Sequence, residues 1–227
     1  VSFTVPTGNF GDIFAGYAAK RMGLPIERLV IATNDNDILA RALSGGVYET
    51  RGVTETTSPS MDIQVSSNFE RLLFEASGRN ADSVVRAMEG LKQSGRFVIA
   101  EDTLETIRRD FDAGRSSVDE TAATIRAVLA GAGYLADPHT ATAIKVAREA
   151  ERARTPMVVL STAHPAKFPA AVEAACGTRP ALPSWLGDLM EREERYTVLP
   201  SNPKMVEDHI SRLTRAASEP TQARSGS

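Results

Sequence analysis

The sequence has 227 residues, a length that suffices for one large domain or for a large domain beside a smaller one. Hydrophobic residues make up 42% and charged residues 24%, which is typical of an ordinary globular protein and excludes a disordered or fibrous chain. The net charge of −3 gives no basic surface for nucleic acid, no run is apolar enough to span a membrane, and the single cysteine, Cys176, excludes an internal disulfide.

The first predicted elements are a strand, a glycine-containing turn and a helix. Residues 3–6 are β-prone and end in proline, and Asp12 is suited to cap the helix that follows the turn. Gly8 and Gly11 place no Cβ where the backbone must bend sharply or approach another group. Because the first N–H groups of a helix lack internal partners, this arrangement predicts an anion site that suits phosphate. The alternative is a plain turn with glycines kept for packing, since the spacing matches neither the dinucleotide fingerprint nor a P-loop.

A second strand and helix follow directly. Residues 29–32 form a short apolar run typical of a buried parallel strand that is reached through a right-handed crossover. The polar run 33–37 would lie at the carboxyl end of that strand, where open α/β sheets bind ligands, but we interpret it as the cap of a helix at 38–43. Residues 47–60 are rich in Thr, Ser and Gly and predict a loop that is exposed or faces the substrate.

The middle of the chain is predicted to be mainly helical. Ser67 and Glu70 fit a capping box at the start of one helix, and Ser117 and Glu120 fit a second box. Residues 80–134 contain helical stripes, one short apolar run and no catalytic signature. We therefore expect this segment to be a small α-rich insertion beside the main sheet.

The next segment joins a well-marked helix start to a β-branched strand. Asp137 is predicted to cap a helix that continues to about Arg152. His139 lies in the first turn, either as a ligand or proton carrier or as an imidazole that only satisfies the helix end or solvent. Residues 157–160 predict a central strand, whose carboxyl end carries hydroxyl groups that can bind a ligand.

The C-terminal stretch gives weaker signals. Trp185 is predicted to be a hydrophobic anchor, residues 198–200 an edge strand and residues 203–216 an amphipathic helix. Residues 218–227 are small and polar and predict a flexible tail. Because the sequence begins with Val1, within a predicted strand, we expect the chain to be the C-terminal portion of a longer enzyme.

Six segments of the chain resemble, in amino-acid sequence and in their order along the chain, motifs of the threonine synthase family of fold type II pyridoxal-phosphate enzymes. They span most of the chain and comprise residues 6–26, 32–37, 58–63, 66–71, 137–141 and 161–168. The most distinctive motifs are Pro-Thr-Gly-Asn-Phe-Gly-Asp, Ser-Asn-Phe-Glu-Arg and Asp-Pro-His-Thr-Ala. The resemblance implies an α/β fold with an open, mostly parallel sheet flanked by helices, like that of the tryptophan synthase β subunit.

The resemblance also implies a division of the chain. Residues 1–79 would form the cofactor-phosphate part of the pyridoxal-phosphate domain, and residues 80–134 the α-rich insertion. Residues 135–217 would complete the domain and add a C-terminal helix, leaving 218–227 as the tail. A cytoplasmic location is expected, with neither nucleic acid nor a membrane as a partner.

Roles for individual residues follow from the resemblance alone. It implies that pyridoxal 5′-phosphate is the cofactor and that one loop holds the cofactor phosphate, namely Gly8, Asn9, Phe10, Gly11 and Asp12. It implies that Thr162 meets the pyridine nitrogen and that three residues face the substrate, namely Asn9, Ser60 and Asn68. No metal is expected, and four polar residues receive no role: Asp62, Glu70, His139 and His164.

The implied reaction converts O-phospho-L-homoserine and water to L-threonine and phosphate, the last step of threonine biosynthesis, by a carbon–oxygen lyase. No catalytic residue is assigned within the chain, because none of its five lysines lies in the family's Phe-Lys-Asp-type block: Lys20, Lys92, Lys145, Lys167 and Lys204. The Schiff-base lysine is expected upstream. The chain alone is therefore expected to be inactive and to need the missing N-terminal part of the same enzyme.

Two alternatives remain open. One is another fold type II enzyme, such as a threonine dehydratase or a cysteine synthase, although the combination of the three distinctive motifs argues against it. The other is a non-catalytic module that binds a phosphate ligand, which the missing lysine block would favour if the chain were a complete protein.

Overall fold

The structure is a computed structural model that describes residues 1–150 and 155–214. It divides the chain into two compact units, residues 1–181 and residues 182–227. Arg152, the expected end of one helix, and the expected tail at 218–227 lie outside the described residues. Among the residues described, no helix is long and apolar enough to cross a membrane. The cytoplasmic location expected from the sequence stays a prediction.

A parallel sheet forms the centre of the larger unit. The strands are β1 (Ser2–Pro6), β2 (Leu29–Thr33), β3 (Val47–Glu49), β4 (Arg96–Val98), β5 (Phe111–Arg115) and β6 (Met157–Val159). Four of them pair in the order β5-β2-β1-β6, and every pairing is parallel. β3 and β4 form a separate antiparallel pair. The α/β class with a mostly parallel sheet is confirmed.

Helices flank this sheet and connect its strands. They are α1 (Gly11–Arg21), α2 (Ile38–Gly45), α3 (Phe69–Ala76), α4 (Ala81–Ser94), α5 (Glu101–Asp110), α6 (Val118–Ala132), α7 (Pro138–Glu149) and α8 (Pro169–Cys176) in the larger unit, with α9 (Pro203–Leu213) in the smaller one. The predicted helix at 203–216 is found as α9, which ends at Leu213 with the described residue Thr214 as its C-cap.

The core beside the cleft loop is aromatic. Phe10 lies edge-on to Phe69 at 5.4 Å between ring centroids and also contacts Phe111 at 5.9 Å. Tyr48 stacks between Phe69 and Phe97 at 5.4 and 4.9 Å. These buried rings join β3, β4, α3 and β5 to the loop after β1, so the position of that loop is fixed by packing.

Strand β5 is a sheet member that the sequence analysis missed. The sequence analysis expected helical stripes and one short apolar run within residues 80–134, but α5 ends at Asp110, and Phe111 begins a strand that pairs with β2. Residues 80–134 therefore contribute a strand to the main sheet as well as helices. The division of the chain at 79/80 and 134/135 stays a prediction.

Several local predictions are wrong. β6 was predicted to be a central strand, but it is an edge strand of the described sheet, and Val158 on it is 38% exposed. Trp185 is 76% exposed, so it is not a buried anchor among the described residues, and residues 198–200 form no strand. Ser67 caps no helix, since α3 begins one residue later than the capping box requires, after Asn68.

Candidate functional site

A cleft of about 320 Å³ opens at the carboxyl ends of β1 and β6. Such edges are where parallel α/β sheets bind ligands. The cleft is lined by seven of the eight residues predicted for the site: Gly8, Asn9, Phe10, Gly11, Asp12, Ser60 and Thr162. The eighth, Asn68, lies behind the loop. Contact with a cofactor or substrate stays a prediction for all eight.

Phe10 sets the shape of the loop between β1 and α1. It occupies the N-cap position with φ of 65°, a left-handed conformation that is uncommon for a bulky residue. Its buried ring is held by Phe69 and Phe111, and this packing enforces the strained backbone. The prediction that Asp12 caps α1 is wrong, because the helix begins at Gly11 and Asp12 is already inside its first turn.

The start of α1 presents unpaired donors to the cleft. The first hydrogen bond of the helix runs from the N–H of Phe14 to the carbonyl of Phe10. Within the described residues, the N–H groups of Gly11, Asp12 and Ile13 donate to no protein acceptor, and no side chain caps them. All three residues line the cleft. Three free donors at the positive end of a helix dipole favour an anion.

The two glycines of the loop differ in function. A Cβ on Gly8 would lie 2.7 Å from the carbonyl oxygen of Ser60, so only glycine allows the two backbones to approach this closely. A Cβ on Gly11 would meet only the Asn68 side-chain nitrogen at 3.9 Å, and Gly11 is not in the left-handed region. Gly11 is therefore not required by the turn, contrary to the sequence-based interpretation.

Asn68 and Ser66 hold the back of the loop. The Nδ2 and backbone N–H of Asn68 both donate to the carbonyl oxygen of Asn9, at 2.8 and 3.1 Å. The hydroxyl of Ser66 donates to the carbonyl of Gly8 at 2.7 Å. These bonds occupy the carbonyl oxygens of Gly8 and Asn9 and tie the back of the loop to the residues just before α3.

Asp62, which the sequence left without a role, organises the opposite wall. Its carboxylate accepts hydrogen bonds from the side-chain amides of Asn34 and Asn36, at 2.7 and 3.0 Å. It also accepts from the hydroxyl and N–H of Thr56, at 2.6 and 2.8 Å. This network ties the loop that carries Ser60 to the carboxyl end of β2. The polar run after β2 is thus a support for the site as well as the approach to α2.

Asp137 and His139 form a buried pair at the start of α7. Asp137 is fully buried and accepts hydrogen bonds from the N–H groups of His139 and Thr140, as predicted for an N-cap. The same carboxylate contacts Nδ1 of His139 at 3.0 Å and the hydroxyl of Thr140. Burial raises the pKa of Asp137, but the hydrogen bonds from His139 and Thr140 outweigh burial, so this pKa lies below its ordinary value.

His139 lies in the cleft, although the sequence analysis assigned it no role. It lines the cleft, is 4% exposed, and its Nε2 is buried without a partner among the described residues. Its position after Asp-Pro was the available signal, because that wording places it in the first turn of a helix. By contrast, His164 is exposed and its Nδ1 accepts from the N–H of Ala166, and Glu70 is exposed on α3.

Three of the five lysines form ion pairs with carboxylates. Lys20 pairs with Asp110, Lys145 with Glu120 and Glu149, and Lys204 with Asp208. Lys167 is exposed and lines the cleft. It is the single lysine that does so among the residues the structure describes.

Comparison with known proteins identifies relatives of this chain. The family model described as threonine synthase, C-terminal, matches residues 140–210. The threonine synthase of Pseudomonas aeruginosa is 51% identical over 213 residues, covering 93% of this chain and 45% of that protein. The threonine synthase of Saccharomyces cerevisiae is 44% identical over 194 residues, covering 77% and 38%.

Solved structures match over nearly the same part of the chain. The structure of pyridoxal-phosphate-bound threonine synthase from Brucella melitensis has a TM-score of 0.87 and 68% identity, covering 92% of this chain and 45% of that one. Yeast threonine synthase follows with a TM-score of 0.79 and 37% identity, covering 93% and 47%. The chain belongs to the threonine synthase family. It spans between 38% and 47% of the length of these relatives, so the family resemblance covers one part of a threonine synthase.

Proposed function

We propose that this chain is part of a threonine synthase that converts O-phospho-L-homoserine and water to L-threonine and phosphate with pyridoxal 5′-phosphate. The observation that carries the proposal is one cleft that combines the free N–H groups at the start of α1 with a hydroxyl after β6. The relatives at 51% and 44% identity carry the name of this enzyme, which supports the same choice.

The residues of the cleft fit the proposed cofactor. Three unpaired N–H groups of Gly11, Asp12 and Ile13 suit its phosphate, because they supply donors at the positive end of a helix. The backbone of Gly8 lies so close to the carbonyl oxygen of Ser60 that a side chain at residue 8 would collide with it. Thr162, exposed on the cleft, offers a neutral hydroxyl for the pyridine nitrogen.

When bound, pyridoxal phosphate supplies an electron sink that stabilises negative charge next to the substrate amine. The chain's own residues bind and orient. The α1 N–H groups anchor the phosphate arm, and Thr162 receives the ring nitrogen without contributing a charge. Asn9 and Ser60, both on the cleft wall, are placed to contact the substrate, while Asn68 holds Asn9 from behind.

The lysine that links to the cofactor is proposed to lie in the missing N-terminal part of the same enzyme. That part is the partner on which activity depends. In the complete enzyme, this chain would then supply the loop that binds the cofactor phosphate and the partner of the ring nitrogen. The N-terminal part would supply the lysine that acts as general acid and base.

A decisive test uses the complete enzyme with Thr162→Ala and Thr162→Ser. Loss of one neutral hydrogen bond should cost about 0.5–1.5 kcal/mol of cofactor binding, and serine should restore it. The measurements are the dissociation constant for pyridoxal phosphate and the release of phosphate and threonine from phosphohomoserine. Phosphate release without threonine would favour a different fold type II reaction, and binding without any turnover would favour the non-catalytic module.

A further inference from the structure

Nε2 of His139 is a buried polar atom that lacks a hydrogen-bond partner within residues 1–150 and 155–214. The carboxylate of Asp137 accepts from Nδ1, so Nδ1 carries a proton whether the imidazole is neutral or charged. Nε2 is therefore the nitrogen that remains free to bind something. Buried polar groups without a partner are rare in folded proteins, and each calls for an explanation such as a ligand.

The imidazole is held rigidly in place. Its ring lies 4.7 Å from the ring of Phe168, another residue of the cleft wall. Asp137, at 0% exposure, fixes the other side of the ring and is itself fixed by Thr140 and by the start of α7. A side chain so constrained is preorganised for binding, because little conformational freedom is left to lose.

The charges around the cleft favour an anion as the group that meets Nε2. The cleft receives the unpaired N–H groups of α1 and the ammonium of Lys167, against one carboxylate on its wall, Asp12. A charged imidazole would present Nε2–H as a further donor, and the carboxylate of Asp137 would balance its charge inside the protein. A phosphate oxygen is the acceptor that complements this set.

We propose that His139 is a ligand-binding residue of the cleft whose Nε2 hydrogen-bonds to an oxygen of a phosphate monoester, as the donor when the imidazole is charged, with Asp137 as its positioning residue. The proposal rests on the proposed function for the identity of the ligand. In that reaction both the cofactor and the substrate carry such a phosphate, and the experiment below separates them. The surrounding charges and the unpaired nitrogen stand independently of that identity.

The test uses the complete enzyme with three substitutions. His139→Leu keeps an apolar contact for Phe168 but removes the donor, and His139→Gln keeps a side-chain N–H. His209→Leu removes an imidazole from α9, outside the cleft lining, and is the matched control. Three constants are measured: the dissociation constant for pyridoxal phosphate, the KM for phosphohomoserine and the inhibition constant of inorganic phosphate.

His139→Leu should raise at least one of these three constants about 10- to 100-fold, as expected for a lost hydrogen bond to a charged group. His139→Gln should recover part of the loss, and His209→Leu should change nothing. A rise confined to the cofactor constant assigns Nε2 to the cofactor phosphate. A rise in KM and in the phosphate inhibition constant, with the cofactor constant unchanged, assigns it to the substrate phosphate.

Asp137→Asn tests the positioning role, because an asparagine oxygen can still cap α7 while the side chain no longer carries the charge that balances the imidazole. It should weaken the same binding constant, and the protein should remain folded at the temperature of the binding measurement. Inorganic phosphate binding to the cofactor-free enzyme, measured by calorimetry, tests the proposal even if the proposed reaction is not observed. Unchanged constants in His139→Leu, or equal losses of binding in the Leu and Gln variants together with lower stability, would overturn it.

Discussion

Gly8 and Gly11 lie three residues apart in the cleft loop, and the structure separates their functions. A methyl group on Gly8 would lie 2.7 Å from the Ser60 carbonyl oxygen, so either the loop or the opposite wall must move. Gly8→Ala should destabilise the protein by about 1–3 kcal/mol, the usual cost of overpacking, and weaken cofactor binding. Thermal melting and cofactor titration of the complete enzyme give both numbers.

Gly11→Ala is the matched control for Gly8→Ala. Its methyl group would have open space apart from the Asn68 amide at 3.9 Å, and alanine is a better helix former than glycine at the first position of α1. The melting temperature should stay the same or rise. A Gly11→Ala variant as unstable as Gly8→Ala would contradict the geometry of the loop.

The carboxyl group of Asp137 should make stability depend on pH in the acid range. Its pKa is lowered in the folded protein, since hydrogen bonds from His139 and Thr140 outweigh burial, so the unfolded chain binds a proton more readily. The contribution of Asp137 is therefore complete above the unfolded pKa of about 4 and is lost as the pH falls through the lower folded value. Denaturant unfolding of wild type and Asp137→Asn should show a stability difference that shrinks from pH 5 towards pH 2. A difference that is constant with pH would contradict the shift.

Among individual residues, the sequence predicted two helix caps correctly, wrongly predicted that Asp12 and Ser67 are caps, and missed what depends on packing. Asp137 and Ser117 cap their helices as predicted, because a cap involves only the next three residues. The left-handed Phe10 could not be foreseen, since its conformation is enforced by Phe69 and Phe111, which are distant in sequence. The sequence likewise could not show that Nε2 of His139 lacks a hydrogen-bond partner among the described residues, because that depends on which residues surround it in the folded protein.

The loop between β3 and α3 is an element whose position depends on one carboxylate. Asp62 accepts four hydrogen bonds that hold this loop, and with it Ser60, to the end of β2. Asp62→Ala should cost about 1–3 kcal/mol by leaving these donors unpaired, and Asp62→Asn should cost less because one oxygen remains. Hydrogen exchange of residues 50–66 should accelerate in the alanine variant, while exchange in α6 stays unchanged. Equal acceleration in both elements would indicate global destabilisation instead.

Elements that the sequence specifies locally were predicted, and those that need a distant partner were not. The β1–α1 and β2–α2 units carry β-branched runs, turn residues and helical spacing, which are local signals. β5 reads Phe-Asp-Ala-Gly-Arg and lacks any β-branched residue. It becomes a strand because β2 offers an edge for pairing and because Gly114 lets Val146 of α7 pack closely.

For the whole molecule, the decisive question is where the lysine that links to the cofactor lies. Lys20, Lys145 and Lys204 are engaged with carboxylates, whereas Lys167 lines the cleft and is the candidate within this chain. Lys167 is exposed at the cleft wall, and the His-Pro-Ala sequence before it differs from the family's lysine motif. We therefore expect it to contribute charge to the cleft and not to form the link.

The expectation is tested on the complete enzyme by adding pyridoxal phosphate, reducing with borohydride and mapping the labelled peptide. The label should fall on a lysine upstream of Val1, because the cleft of this chain provides phosphate and ring-nitrogen contacts without a lysine in the matching context. Lys167→Gln is the control: it should keep the covalent label while weakening the binding of the phosphate ligand by charge loss alone. Labelling of Lys167 itself, abolished in Lys167→Gln, would place the reactive lysine in this chain and would overturn the proposed division of the active site.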